Sequence, residues 1–426
     1  MSASKIPVVI VGGGVIGCSI ALELARDARF DTTIVERNSE VGQGSTAMST
    51  AIIRQYYRHA ESVKLARSGM QVWSRWREWV GESRAASDVV DFRQVGVLWA
   101  FPESDRASEA EHLAQCARLG VQLEELTVSA ARDRFPDYAF ADTPASFGLY
   151  EPDGGYVADP SHATRDLYAA ARAMAPKTRA FTSAEVIGFE HTPYPERRVT
   201  GVVVHRNGTL ETLAAAVVIN AAGPHSYAVN ALAGCPLPLT TVPNRQKLVN
   251  ARDVGLAWGV RDYPVCIDFV HGLYIKPDPE TFRMGANMRE DEDEFLPNAD
   301  DFDERVDDEW VTRKSAAVKT RMPASQLAEL DPRVGVYDVT AADWKPILDK
   351  TPVPGYYVAI GTSGAWFKGA PVIGRIMRDM VVANEIEGRD TDTEPLTVAL
   401  PFTEQAFRVG EFSRFRTPHA TAGVIG

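Results

Sequence analysis

Residues 6–36 read IPVVIVGGGVIGCSIALELARDARFDTTIVE, and the reading of this stretch decides the fold. Residues 6–11 form a short β-branched run, the profile of a buried parallel strand. Gly12-Gly13-Gly14-Val15-Ile16-Gly17 follows directly. Residues 19–26 are rich in Ala, Leu and Glu and predict a helix. Residues 32–35 predict the next strand, which ends at Glu36. The whole is a βαβ unit. Backbone amides at the N-terminus of its helix favour a pyrophosphate. The glycines allow a tight turn and a close approach of phosphate, and an acid about 20 residues on can accept hydrogen bonds from an adenosine ribose. The glycine pattern alone is weak evidence. Strand, loop, helix, strand and acid in order make dinucleotide binding the reading. Gly12, Gly14, Val15, Ile16, Gly17 and Glu36 are the expected contacts.

Downstream, Gly42-Gln43-Gly44-Ser45-Thr46 is a loop of small polar residues and not a further βαβ repeat. Residues 62–80 place Leu65, Met70, Trp73, Trp76 and Trp79 at helical spacings, an aromatic stripe expected to pack in the core. Residues 201–204 and 215–220 read as strands around the turn Asn207-Gly208, a hairpin signal. Residues 257–290 carry VCIDF, GLYIKP and FRMGANM between turn residues, which predicts an antiparallel sheet. Residues 290–309 are acidic and predict a solvated loop or helix face, without the spacing of a calcium loop. Residues 361–374, GTSGAWFKGAPVIG, follow an apolar run and lead into a helix expected near Ala370 and Pro371. This is a second glycine-rich loop, and it carries Lys368.

The 426 residues are 45% hydrophobic and 24% charged, with a net charge of -12, which argues against a nucleic-acid partner. The four cysteines are far apart, so incidental thiols are expected and no metal site. No apolar run approaches the roughly 20 residues of a membrane span. The N-terminus leads straight into a strand, and a cytoplasmic protein is the expectation.

VVINAAGPHS (217–226) resembles the second nucleotide-contact strand of the D-amino-acid-oxidase superfamily of FAD-dependent oxidoreductases. GLYEPDGGYVADPSHA (148–163) is similar to the central segment of that superfamily. STAIIRQYY (49–57), GVYDVTAADWKPIL (335–348) and YYVAIGTSGAWFKGAPVIG (356–374) resemble segments of its sarcosine oxidase and dimethylglycine dehydrogenase branch. The likeness covers nearly the whole chain in order and is densest at the two ends. It implies an α/β fold with a discontinuous Rossmann-type FAD domain from residues 1–85, 150–225 and 335–426. A mixed, largely antiparallel substrate domain would come from 86–149 and 226–334. It further implies FAD contacts from Arg37, Gly44, Ser45, Thr46, Ser49, Thr50, Val186, Ala221, Ala222, Gly223, Gly361, Ser363, Gly364, Phe367 and Lys368.

The same resemblance implies that the C-terminal loop lies along the flavin ring, with the amides of Gly361, Ser363 and Gly364 close to it. The following helix would present positive partial charge there. Lys368 and Arg54 match the pair that binds the substrate carboxylate, a geometry suited to a bidentate guanidinium. Each charged hydrogen bond is worth about 1.5–3 kcal/mol, and the pinned carboxylate orients the reacting carbon. Tyr337 matches an active-site tyrosine, with core packing as its alternative, and Tyr274 is a weaker candidate. Arg283 stands where the branch has a lysine that assists oxygen, and Asn287 where it has a histidine. The branch attaches FAD through a cysteine or a histidine; here those positions are Gly335 and Met48, so non-covalent FAD is expected. The branch's GHGFK reads Gly364-Ala365-Trp366-Phe367-Lys368 here, so its histidine is gone and the resemblance puts a bulky indole, Trp366, near the pocket.

The implied reaction is oxidation of the C–N bond of an amino acid with a secondary or tertiary amine. Hydride passes to flavin N5, and the imine then hydrolyses. Oxygen or another acceptor takes the electrons. No His or Glu is nominated as a general base. The alternatives are a D-amino-acid or glycine-type oxidase, the flavin subunit of a heteromeric amine dehydrogenase, and an NAD-dependent dehydrogenase. Glycine and D-amino-acid oxidases use an arginine that would fall at Tyr337, which argues against their substrates.

Overall fold

The computed structural model describes residues 5–81, 90–140, 146–258, 261–279, 281–288, 291 and 294–418. The opening β-branched run forms strand Ile6–Val11. It pairs in parallel with Phe30–Val35 on one side and with Val217–Asn220 on the other. The full sheet runs Ile347–Lys350, Tyr356–Ile360, Val217–Asn220, Ile6–Val11, Phe30–Val35, Arg179–Phe181. Every pairing is parallel except that of the edge strand Ile347–Lys350.

Both faces of this sheet are covered, which is why its strands are continuously apolar. Val8 and Ile10 point to a core shared with helices Val15–Ala25, Pro160–Met174 and Ala370–Glu385. Val9 and Val11 point the other way, into a core shared with a three-stranded meander. The meander is Ala184–His191, Val199–Arg206 and Thr209–Ala214. Asn207 and Gly208 have φ of 50° and 76°, the left-handed pair that a tight hairpin needs. The turn was expected to join residues 201–204 to 215–220. It instead joins Val199–Arg206 to Thr209–Ala214, while Val217–Asn220 enters the parallel sheet. The true partner strand is polar and largely exposed, so it shows no apolar run.

The second sheet has eight strands in the order Leu327–Val339, Val242–Asp253, Thr281–Ala286, Leu273–Asp278, Val265–Asp268, Val97–Pro102, Ser146–Glu151, Glu124–Leu126. Only Val265–Asp268 and Val97–Pro102 pair in parallel. The strands expected within 257–290 are here. The expected domain limits at 150 and 335 fall inside strands Ser146–Glu151 and Leu327–Val339. The stripe over 62–80 forms two helices, Ala60–Ser74 and Trp76–Val80, and all five named side chains are buried. The four cysteines are buried and unpaired. Among the described residues, no helix is long and apolar enough to cross a membrane.

Candidate active site and cofactor cradle

The first glycine loop is built on near-contact. Gly12 has φ +107°, and a Cβ there would lie 2.3 Å from the Ala221 carbonyl oxygen. A Cβ on Gly17 would lie 2.0 Å from the Gly12 oxygen, so helix and strand touch through it. Gly14 and Ile16 donate no backbone hydrogen bond to another described residue, which leaves two amides at the positive end of the helix. Glu36 accepts from the Gly13 amide at 2.7 Å and the Asn38 amide at 2.8 Å, which fixes its carboxylate at the loop.

A cavity of about 410 Å3 starts at this loop. Gly12, Gly14, Val15, Ile16, Glu36, Arg37, Gly44, Ser45, Thr46, Ser49, Val186, Ala221, Ala222 and Gly223 line it. Tyr337, Thr362, Gly364 and Phe367, from the second sheet's edge strand Leu327–Val339 and the C-terminal loop, line it too. A glycine cradle, open amides and one cavity lined by both glycine-rich loops fit a dinucleotide. Gly17, Thr50, Gly361, Ser363 and Lys368 do not line it. Asn298 and Asp300, from the acidic stretch expected to be solvated, do. Asp300 pairs with Arg37 and with His225 Nε2, each at 2.9 Å, and so bridges three distant segments across the cavity.

The C-terminal loop departs from expectation in one respect. The amides of Gly361 and Ser363 are taken by Asp338, through its carboxylate and its carbonyl oxygen (2.8 Å) respectively. The Ser363 hydroxyl donates to the Trp344 carbonyl at 3.1 Å. Both residues therefore brace the loop from behind. Gly364 faces the cavity, and a Cβ on it would sit 3.1 Å from the Tyr337 ring.

Lys368 and Arg54 are both buried, and Tyr57 brings them together. The Arg54 guanidinium lies 4.3 Å over the Tyr57 ring and donates to the Tyr56 carbonyl at 2.7 Å. Lys368 Nζ donates to Tyr57 Oη at 3.1 Å and to the Ala365 carbonyl. Burial, and then the Arg54 charge, hold the Lys368 ammonium well below its usual pKa, while Glu151 acts in the opposite sense. Helix Ala60–Ser74 grips this loop. A Cβ on Gly69 would lie 2.1 Å from the Lys368 carbonyl oxygen, and Trp73 Nε1 donates to that oxygen at 2.9 Å. Trp73, one member of the aromatic stripe, thus braces the lysine's backbone together with Gly69. Trp366 is buried, stacked 5.0 Å from Tyr57 and edge-on to Phe412, so it packs behind the site.

Tyr337 forms cavity wall, and burial raises its pKa. Arg283 lies apart from the Arg54–Lys368 pair, donating to the Ser49 carbonyl and to Asn250 Oδ1, each at 2.8 Å. It lines a second cavity of about 420 Å3 with Lys276 and Asp278. Burial, then Arg283, lowers the Lys276 pKa to about 8. Tyr274 Oη meets Thr50 Oγ1 at 3.0 Å, and Asn287 is buried. A Cβ on Gly335 would be 3.0 Å from the Met48 Cβ, so these two positions converge, and neither offers a nucleophile. Sequence reasoning missed Tyr57, Glu151 and Asp338. All three stand inside segments that carry the family resemblance, Tyr57 in 49–57, Glu151 in 148–163 and Asp338 in 335–348, but only their contacts across the fold show what they do.

Residues 7–380 match the family described as DAO, FAD dependent oxidoreductase. Sarcosine oxidase subunit beta of Arthrobacter sp is 25% identical over 406 residues, spanning 95% of this chain and 91% of that protein. The solved L-proline dehydrogenase from P. horikoshii superposes with a TM-score of 0.77 at 21% identity, covering 97% of this chain and 98% of that one. Glycine oxidase from Geobacillus kaustophilus gives 0.74 at 21%, covering 98% and 100%. At these identities the two structures speak for the fold.

Proposed function

The chain belongs to the FAD dependent oxidoreductase family and uses FAD, and from that premise we propose that it oxidises the C–N bond of an amino acid bearing a secondary or tertiary amine. The observation that carries this reading is the pair of buried cations, Arg54 and Lys368, gathered at Tyr57 beside the second loop that lines the cavity. A substrate carboxylate placed there would meet a guanidinium and an amine whose charged form it favours. FAD, when bound, supplies the electron acceptor. The chain supplies orientation: Arg54 and Lys368 hold the carboxylate, and Tyr337 and Gly364 wall the space beside it. Tyr337 in place of an arginine, and the sarcosine oxidase likeness, favour an N-substituted amine over glycine. Gly335 and Met48 favour a non-covalently held flavin.

A second reading has a specific support. The relative matched over 95% of this chain is a subunit, so the chain would act within a heteromeric amine dehydrogenase. Size-exclusion of native material separates the two. The first reading is tested by anaerobic titration of the yellow protein. Sarcosine, N-methylated and cyclic amino acids are expected to bleach it, and amines lacking a carboxylate are not. Equal bleaching by sarcosine and by dimethylamine would overturn the carboxylate clamp.

A further inference from the structure

Strand Ser146–Glu151 ends in a carboxylate that the proposed function does not use. Glu151 is fully buried. Its Oε1 accepts from the Gln55 amide at 2.6 Å and from Gln55 Nε2 at 3.3 Å. Among the described residues no group lies within hydrogen-bonding geometry of its Oε2, and the nearby Tyr56 amide favours the ionised form. Gln55 directly follows Arg54, so one turn of chain carries the cation and grips the acid. The charged and titratable groups acting on Glu151 are Arg54 and Tyr57 from that turn, Lys368 from the C-terminal loop and Cys116 from helix Arg106–Arg118. Glu109 lies one step further out, hydrogen-bonded to Tyr56 and paired with Arg58. Burial keeps Tyr57 and Cys116 protonated at neutral pH, so they add no charge.

An ionised carboxylate with one unsolvated oxygen is expensive to bury. Arg54 offsets that cost while the site is empty. An incoming carboxylate competes for the same cation and adds a like charge to the same cage.

We propose that Glu151 is a positioning residue that sets the charge of the carboxylate site, taking up one proton when a substrate carboxylate binds at Arg54 and Lys368. This rests on the carboxylate reading above. Burial raises the Glu151 pKa to about 7, against the Gln55 amide and Arg54, which lower it. A bound anion raises it further. Binding is then strong below that value and weakens as pH rises, by about tenfold in Kd per pH unit above neutrality.

The test uses the FAD-loaded protein with acetate as probe, read by the shift in flavin absorbance from pH 6 to 9. A pH-indicator dye counts protons. Wild type is expected to take up close to one proton per acetate near pH 8. Glu151→Gln is expected to take up almost none, to bind acetate with little pH dependence, and to bind it several-fold more tightly at pH 8. Equal uptake in both proteins would overturn the proposal and give the proton to Lys368. If the variant fails to hold flavin, Lys368→Met decides: uptake per bound acetate retained gives the proton to Glu151, and uptake lost, or no uptake by wild type, contradicts the proposal. If acetate binds wild type and Arg54→Ala equally, the carboxylate reading itself fails. If Arg54→Ala alone loses acetate while Glu151→Gln behaves as wild type, only the role of Glu151 fails.

Discussion

Two glycine-rich loops connect a parallel strand to a helix, and they are used in opposite ways. The first links Ile6–Val11 to Val15–Ala25; the second links Tyr356–Ile360 to Ala370–Glu385. Their strands flank the same neighbour, Val217–Asn220, and their helices touch, since a Cβ on Gly374 would lie 2.5 Å from the Ser19 oxygen. The first loop is short and presents bare backbone to the cavity. The second is long, uses the amides of Gly361 and Ser363 on Asp338, and presents the side chain of Lys368. A loop that holds phosphate must expose amides. A loop that carries a charged side chain must be braced, here by Asp338, Gly69 and Trp73.

The contrast can be broken at either loop. The largest effect is expected from Arg54→Ala, which removes one of the two cations: a loss of roughly 2–5 kcal/mol in kcat/KM, with FAD content unchanged. Steady-state kinetics and the flavin-to-protein absorbance ratio check both halves. Gly12→Ala is expected to act at the other loop. Its Cβ would meet the Ala221 carbonyl, and overpacking costs about 1–3 kcal/mol, so FAD affinity and thermal stability should fall together. Fluorescence titration of the apoprotein with FAD reads this directly. Trp73→Phe removes the donor to the Lys368 carbonyl and should cost about 1 kcal/mol of activity while sparing FAD binding. The smallest effect belongs to Asp300→Asn at the exposed clasp over the cavity, below about 1 kcal/mol in FAD affinity and shrinking as salt is added. A salt-independent loss would mean that Asp300 acts through packing and not charge.

The two loops also differed in how readable they were. The first lies within one contiguous stretch, so residues 6–36 carried strand, loop, helix and acid together. The second showed its glycines, its helix start and Lys368. Its brace was hidden for two reasons: Trp73 meets the Lys368 carbonyl across 295 residues, and no local pattern marks the turn of the Asp338 carboxylate to the Gly361 amide, 23 residues on. The first of these reasons also hid Glu151, which meets Gln55 across 96 residues, and Asp300, which meets Arg37 across 263. The hairpin at Asn207-Gly208 was read with the wrong partner because Thr209–Ala214 is a polar edge strand. Local pattern reports burial and turns; it does not report which buried groups share a cage.

The most direct test of the account is one pair of measurements on Arg54→Ala with Lys368→Met, prepared as a double variant. The flavin spectrum and FAD affinity are expected to match wild type, while anaerobic bleaching by sarcosine or proline is lost. Loss of flavin together with bleaching, or retention of both, would contradict a division in which the first loop holds the cofactor and the second, with Arg54, holds the substrate.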